Sequence, residues 1–161
     1  MQTELDQAQR ALELAYGFIN KRERTVAEVA GALQRAGIDP PGAQAAIDEL
    51  VALGYLDDIR FAKLFAQDKR TLEQWGAERI ERGLIARGID RELVAAALAD
   101  SPQQTELERA LATLARRFPR PPADRRERER ALGFLLRKGY DNETALEALS
   151  VAGGPGTTQA V

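Results

Sequence analysis

Apolar residues recur along this chain three and four positions apart, the period of a helix face turned towards a core. The pattern is broken at regular intervals by one kind of corner. Leu33-Gln34-Arg35-Ala36-Gly37-Ile38-Asp39, Leu84-Ile85-Ala86-Arg87-Gly88-Ile89-Asp90 and Leu135-Leu136-Arg137-Lys138-Gly139-Tyr140-Asp141 follow one another at an interval of 51 residues, twice over. Each reads as a helix end. The Leu is a core position in the last turns, and the Gly sits just past the helix, where positive φ is needed. The Ile or Tyr folds back onto the helix, and the Asp caps the next one. Pro40, directly after Asp39, suits a first helical position. Equal spacing of this kind is the mark of a repeat.

Each corner is followed by a helix with an apolar pair on one face: Ile47 and Leu50, Val94 and Leu98, Leu146 and Leu149. Each is also preceded by one. Thr25-Val26-Ala27-Glu28 has the form of a capping box opening a helix with Val26, Val29 and Leu33. A counterpart starts near Gly76 with Ile80 and Leu84, and a third is capped by Asp124 and carries Leu132, Leu135 and Leu136. A further helix opens each unit, most clearly from Asp58, with Phe61, Leu64, Phe65 and Leu72 at helical spacing. The prediction is an all-α fold of nine helices in three tandem three-helix repeats, forming an elongated molecule with room to curve. The repeats are placed at residues 1–56, 57–102 and 103–150, with a disordered tail over 151–161. Breaks fall near Gly54–Asp57 and Asp100–Gln103, and Pro119, Pro121 and Pro122 stiffen a connection inside the third repeat.

Composition narrows the function classes. Among 161 residues there is no Cys and no His. Thiolate metal sites, cysteine nucleophiles and the commonest general base are therefore absent. With no phosphate-binding Gly loop either, the expectation is a protein that is no enzyme and holds no metal or cofactor. The acidic, polar start Met1-Gln2-Thr3-Glu4-Leu5-Asp6 does not resemble a signal peptide. No apolar run approaches the roughly 20 residues that span a bilayer. A cytoplasmic monomer without membrane contact is expected.

The net charge is −2, but the charges are graded. Residues 1–58 carry 5 basic and 10 acidic side chains, residues 59–108 carry 8 and 9, and residues 109–161 carry 10 and 6. Such a gradient can orient a molecule on a charged partner. The candidate partner-binding residues are Lys69, Arg70, Trp75, Arg79, Arg82 and Arg87 in the middle repeat. In the third they are Arg116, Arg117, Arg125, Arg126, Arg130, Arg137 and Lys138. Arg suits both carboxylate and phosphate, and Trp is enriched where binding energy concentrates. Simpler roles are assigned to Asp57 and Asp58, as helix caps, and to Phe61 and Phe65, as core.

The stretch Leu53-Gly54-Tyr55-Leu56-Asp57-Asp58-Ile59-Arg60-Phe61-Ala62-Lys63-Leu64-Phe65 resembles the start of the middle repeat in the RecX family. Gly76-Ala77-Glu78-Arg79-Ile80 after Trp75, the Arg87-Gly88-Ile89-Asp90 corner, Arg22-Glu23-Arg24-Thr25 with Glu28, and Arg137-Lys138-Gly139-Tyr140-Asp141 are similar to further segments of that family, in order, over residues 8–150. The resemblance implies tandem three-helix repeats and a regulator without catalytic residues. Such a regulator binds the RecA–DNA filament in its groove and restrains ATP hydrolysis and strand exchange in recombination and repair, with DNA-backbone contact open. Two departures stand out. Ala66-Gln67-Asp68-Lys69-Arg70 replaces a more basic segment, and Gly83 stands where the family often has Glu. The competing reading is a tandem helix-turn-helix DNA-binding protein. The helices after the corners offer few side chains for base edges: Gln44, Arg91 and Asn142 are one each.

Overall fold

The computed structural model describes residues 2–100 and 104–154, and among these there are nine helices and no strand. They are α1 (Gln2–Ile19), α2 (Val26–Arg35), α3 (Pro40–Ala52), α4 (Asp58–Leu72), α5 (Ala77–Ala86), α6 (Arg91–Ala99), α7 (Glu106–Arg117), α8 (Arg125–Lys138) and α9 (Asn142–Ala152).

All three corners form as their residues dictate. Gly37, Gly88 and Gly139 take φ of 80°, 80° and 102°. The carbonyls of Leu33, Leu84 and Leu135 accept from the N–H groups of Ile38, Ile89 and Tyr140 at 3.1, 3.2 and 3.2 Å. Those apolar residues fold back and are buried. The Leu thus serves twice, as core side chain and as closing acceptor. Asp39 and Asp141 then cap α3 and α9, accepting from Gly42 and Thr144 N–H at 2.7 Å each. Thr25 and Thr105 both build complete capping boxes, with Glu28 and Glu108. The second of these was not singled out from sequence.

The chain divides into two compact units, Met1–Leu64 with Leu84–Ala97, and Phe65–Gly83 with Leu98–Val161. In the first, Ala11 and Ala15 of α1 meet Val29 and Leu33 of α2 and Ala46, Ile47 and Leu50 of α3, closed by Ile38 and Leu56. Small residues on facing helices let the backbones approach. In the second, Ala110 and Leu114 of α7, Ala131 and Leu135 of α8, and Ala145, Ala148 and Leu149 of α9 surround Tyr140.

Several expectations are corrected. Leu64 and Leu72 are 45% and 73% exposed. The buried stripe of α4 runs instead through Phe61, Ala62 and Ala66, rotated because two small alanines replace the bulkier leucines on the packed face. Leu136 and Leu146 are likewise exposed beside their buried neighbours Leu135, Ala145 and Leu149. Val151 and Ala152, placed in the tail, complete α9, which closes at Gly153. The remainder of that expected tail, 155–161, and residues 101–103 of the expected break lie outside the described residues.

Candidate partner-binding surface

The middle repeat's residues are held by two joints of the same design, one in each unit. In the first unit the N-terminus of α2 sits on the Arg87–Gly88 corner. The Thr25 hydroxyl donates to the Arg87 carbonyl at 2.7 Å while accepting from Glu28 N–H at 3.1 Å. The Val26 N–H, an orphan donor of the first turn, is accepted by Asp58 Oδ1 at 2.9 Å. A Cβ on Gly88 would lie 2.3 Å from the Ala27 Cβ. In the second unit the start of α5 sits in the same way on Lys138–Gly139. The N–H groups of Gly76 and Glu78 donate to the Lys138 and Gly139 carbonyls at 2.7 and 3.0 Å. The Ala77 N–H is accepted by Glu106 Oε1 at 2.9 Å. A Cβ on Gly76 would lie 2.4 Å from the Gly139 carbonyl carbon, so only glycine fits.

Asp57 and Asp58 therefore divide the capping work. Asp57 Oδ1 accepts from Arg60 N–H at 3.0 Å, capping the start of its own helix, and Asp58 serves α2. Burial raises the Asp58 pKa, the Val26 N–H lowers it, and Asp90, Asp57 and Glu28 nearby raise it further. The outcome is a carboxyl held above its ordinary value.

The second joint displays an aromatic ring under cations. Lys69 Nζ lies 4.5 Å and Arg79 Cζ 4.2 Å from the Trp75 ring centre, with Phe65 edge-on at 6.2 Å. Contacts of this kind contribute about 0.5–1 kcal/mol each at exposed sites. Lys69 also pairs with Glu73 at 2.6 Å, which lowers the Glu73 pKa. The loop carrying the ring is pinned from α8 and its corner. Lys138 Nζ donates to the Glu73 carbonyl at 2.8 Å and the buried Tyr140 hydroxyl to the Gln74 carbonyl at 3.1 Å. Gln74 takes φ of 55°, the left-handed conformation at which L-residues are uncommon, and the Trp75 N–H then closes on the Lys69 carbonyl at 3.0 Å. Arg79 Nη1 reaches the Arg137 carbonyl at 3.2 Å.

Lys69, Trp75, Arg79, Arg137 and Lys138 are thus brought together in the second unit. The other candidates fall elsewhere. Arg70 is turned inward, its Nη2 on the Leu98 carbonyl at 2.9 Å, and burial and the neighbouring Arg109 lower its pKa. Arg87 contributes its carbonyl to the first joint. Arg82 is exposed on α5. Arg116 and Arg117 end α7, Arg117 over the Phe118 ring at 5.0 Å, and Arg125, Arg126 and Arg130 lie exposed on the first turns of α8. Arg120 and Arg128, exposed as well, extend this arginine group. Tyr140, Glu106 and Asp58 hold the joints and were not identified from sequence as joint residues. The two joints keep one register: each helix start meets the corner 62 residues further on, Thr25 with Arg87 and Gly76 with Lys138. Among the described residues no group of three or more acidic side chains is placed to hold a metal ion, and no helix is long and apolar enough to cross a membrane.

Comparison with known proteins matches residues 11–50 to "RecX, first three-helix domain", 57–98 to "RecX, second three-helix domain" and 104–149 to "RecX, third three-helix domain". Curated relatives named Regulatory protein RecX include that of Leptothrix cholodnii, 34% identical over 138 residues and 86% of each chain. That of Mycobacterium sp. (strain KMS) is 31% identical, over 83% of this chain and 76% of its own. The crystal structure of RecX from Lactobacillus salivarius shares the fold with a TM-score of 0.80 at 20% identity, over 92% of this chain and 97% of that one.

Proposed function

This chain belongs to the RecX family of regulatory proteins, and from that premise we propose that it is a non-enzymatic regulator that binds the RecA–DNA filament. Bound there in the cytoplasm, it restrains RecA ATP hydrolysis and strand exchange in recombination and repair. The observation that carries this reading is the match of all three RecX three-helix domains, in order, along the chain.

Two basic groups support a partner that presents both protein and phosphate. The side chains of Lys69, Trp75, Arg79 and Lys138 are pre-ordered by their contacts, which limits the side-chain entropy lost on binding, and Arg137 lies exposed beside them. Arg116 of α7 and Arg125, Arg126, Arg128 and Arg130 of α8 are long and exposed, which suits a phosphate backbone met in variable geometry.

The test is RecA ATPase on single-stranded DNA with the full chain titrated in at several salt concentrations. Inhibition at substoichiometric amounts is the expected result. No effect at equimolar protein, together with tight sequence-selective binding to duplex DNA, overturns it in favour of a helix-turn-helix DNA-binding protein.

A further inference from the structure

The turn between α4 and α5 holds a carboxylate among cations, and all of its parts lie in the second unit. Lys69 Nζ donates to Glu73 Oε1 at 2.6 Å. That bond, with the charges of Lys69, Arg79 and Lys138, keeps the Glu73 carboxyl below its ordinary pKa. The hydrogen bonds of the other two cations go to neutral groups. Lys138 Nζ donates to the Glu73 carbonyl at 2.8 Å and Arg79 Nη1 to the Arg137 carbonyl at 3.2 Å. Three cations therefore act on one carboxylate. The carboxylate is exposed, and its ion pair joins residues four apart, a contact that is weak by itself.

The turn is held in a conformation that its residues do not favour. Among the described residues Gln74 is the only non-glycine with positive φ. Lys138 and Tyr140 fix the carbonyls of Glu73 and Gln74 from the next corner. Strain over-determined in this way collects where a ligand is met.

The rim of the site is acidic. Asp68, Glu78 and Asp141 are exposed, each next in sequence to a residue of the site: Lys69, Arg79 and Tyr140. Asp141 is committed to the start of α9. A strand of phosphates drawn across the cations would meet these like charges, whereas one acidic side chain entering between them would not. Leu72, beside Glu73, is 73% exposed and offers an apolar contact that suits a peptide better than a sugar–phosphate chain.

We propose that Lys69, Arg79 and Lys138 form a receptor for a single carboxylate of a protein partner, carried beside an apolar side chain, and that Glu73 is the resident carboxylate it displaces. The inference rests on the reading of these residues as a partner-binding set and names what they take. Lys69 exchanges one ion pair for another, and the pinned turn is not rebuilt. Glu73 thereby sets a threshold. A partner offering one carboxylate and nothing else gains little over Glu73, and the apolar contact on Leu72 decides the exchange.

Trp75 is the only tryptophan of the chain, so its indole N–H gives a single NMR signal that reports on the site in the full protein. The probe is a short soluble peptide of glutamate and leucine, titrated to millimolar concentration at fixed ionic strength. An oligothymidylate carrying as many charges is titrated beside it. The peptide is expected to move the signal saturably, and the oligothymidylate to bind more weakly. Glu73→Gln is expected to bind the peptide about threefold tighter, the contribution of one exposed ion pair, and Arg79→Ala about threefold more weakly. Leu72→Ser, altering an exposed side chain, should also weaken the peptide. Glu147→Gln, which removes an equal charge from the exposed face of α9, should leave the affinity unchanged. A signal that the peptide does not move overturns the inference. So does an equal gain from Glu73→Gln and Glu147→Gln, which would be net charge alone. Tighter binding of the oligothymidylate through the same residues also overturns it, and makes the site one for phosphate. The titration contains no RecA, so its failure and a failure of the ATPase test are told apart.

Discussion

The Thr25 hydroxyl donates to the Arg87 carbonyl at 2.7 Å, joining residues 62 apart in the sequence. Thr25 is fully buried, and the same oxygen caps α2. One side chain therefore ends one helix and begins another. Thr25→Val keeps the shape but removes both bonds. An N-cap contributes about 0.5–2 kcal/mol, and a carbonyl left buried without a donor costs about 1–3 kcal/mol. The two share one hydroxyl, so a loss of about 2–3 kcal/mol is expected, while Thr25→Ser loses about 1 kcal/mol or less. Urea midpoints at a constant slope measure it. Equal midpoints for the Val and Ser variants would mean that the hydroxyl contributes nothing.

The glycines separate conformational need from close approach. Gly37 has φ of 80° and open space around it, so Gly37→Ala meets backbone strain alone, about 1 kcal/mol. Gly88→Ala meets the same strain and the Ala27 Cβ besides, and loses more. Gly76→Ala places its Cβ against the Gly139 backbone, which cannot yield as a flexible side chain does. A loss of about 3 kcal/mol or more is expected there, as for overpacking at a rigid site. Thermal or urea unfolding of the three variants should rank them Gly37, Gly88, Gly76. A Gly76 variant as stable as the Gly37 one would show that the second joint can open at little cost.

The corners were legible because every rule that makes them is local. Gly37, Ile38 and Asp39 lie next to one another, and each has one strong reason to be there. The joints were not. Asp58 had a complete explanation as a cap of its own helix, yet it caps α2, and Gly76 marked a helix start without showing what it lay against. The α4 stripe was misplaced for a different reason. Hydrophobicity alone ranks Leu64 and Leu72 above Ala62 and Ala66, but close helix packing favours the small side chain. Of the proposed site, the residue types were legible and their grouping was not. Lys69 and Arg79 meet only through Trp75, whose position depends on the left-handed Gln74.

Asp58 makes the first joint sensitive to pH. Its folded pKa is raised above the ordinary 3.8, chiefly by burial. A carboxyl of this kind favours the folded state most when protonated, below its unfolded value, and that advantage is lost as pH rises through the folded value. Asp58→Asn keeps an oxygen for the Val26 N–H and removes the charge that Asp90, Asp57 and Glu28 oppose. The variant is expected to be at least as stable as the parent at pH 7, with the difference closing on acidification below the usual carboxylate range. Urea midpoints from pH 3.5 upward, about where carboxylates titrate, check the sign. A clear loss of stability at pH 7 would mean that the ionised cap on α2 outweighs the burial of its charge.

Trp75, the only tryptophan of the chain, reports on the second joint directly. Lys69 is shared between the Trp75 ring and Glu73, and that pairing holds the Glu73 carboxyl below its ordinary 4.5. A depressed carboxyl stabilises the fold above its unfolded value and loses that contribution as pH falls through the folded one. Acidification below about pH 4.5 should therefore release Lys69 from Glu73 and change Trp75 emission while helical circular dichroism persists. Glu73→Gln should show the altered emission already at neutral pH and no further step. Arg79→Ala should shift emission to the red at every pH and lower stability by about 1 kcal/mol, since the ring loses the guanidinium over it. If the pinned ring and its cations form part of the partner surface, Arg79→Ala also weakens inhibition of the RecA ATPase, whereas Arg70→Lys, altering an inward guanidinium, affects stability first. Loss of inhibition with Arg70→Lys but not with Arg79→Ala would place the contact away from Trp75.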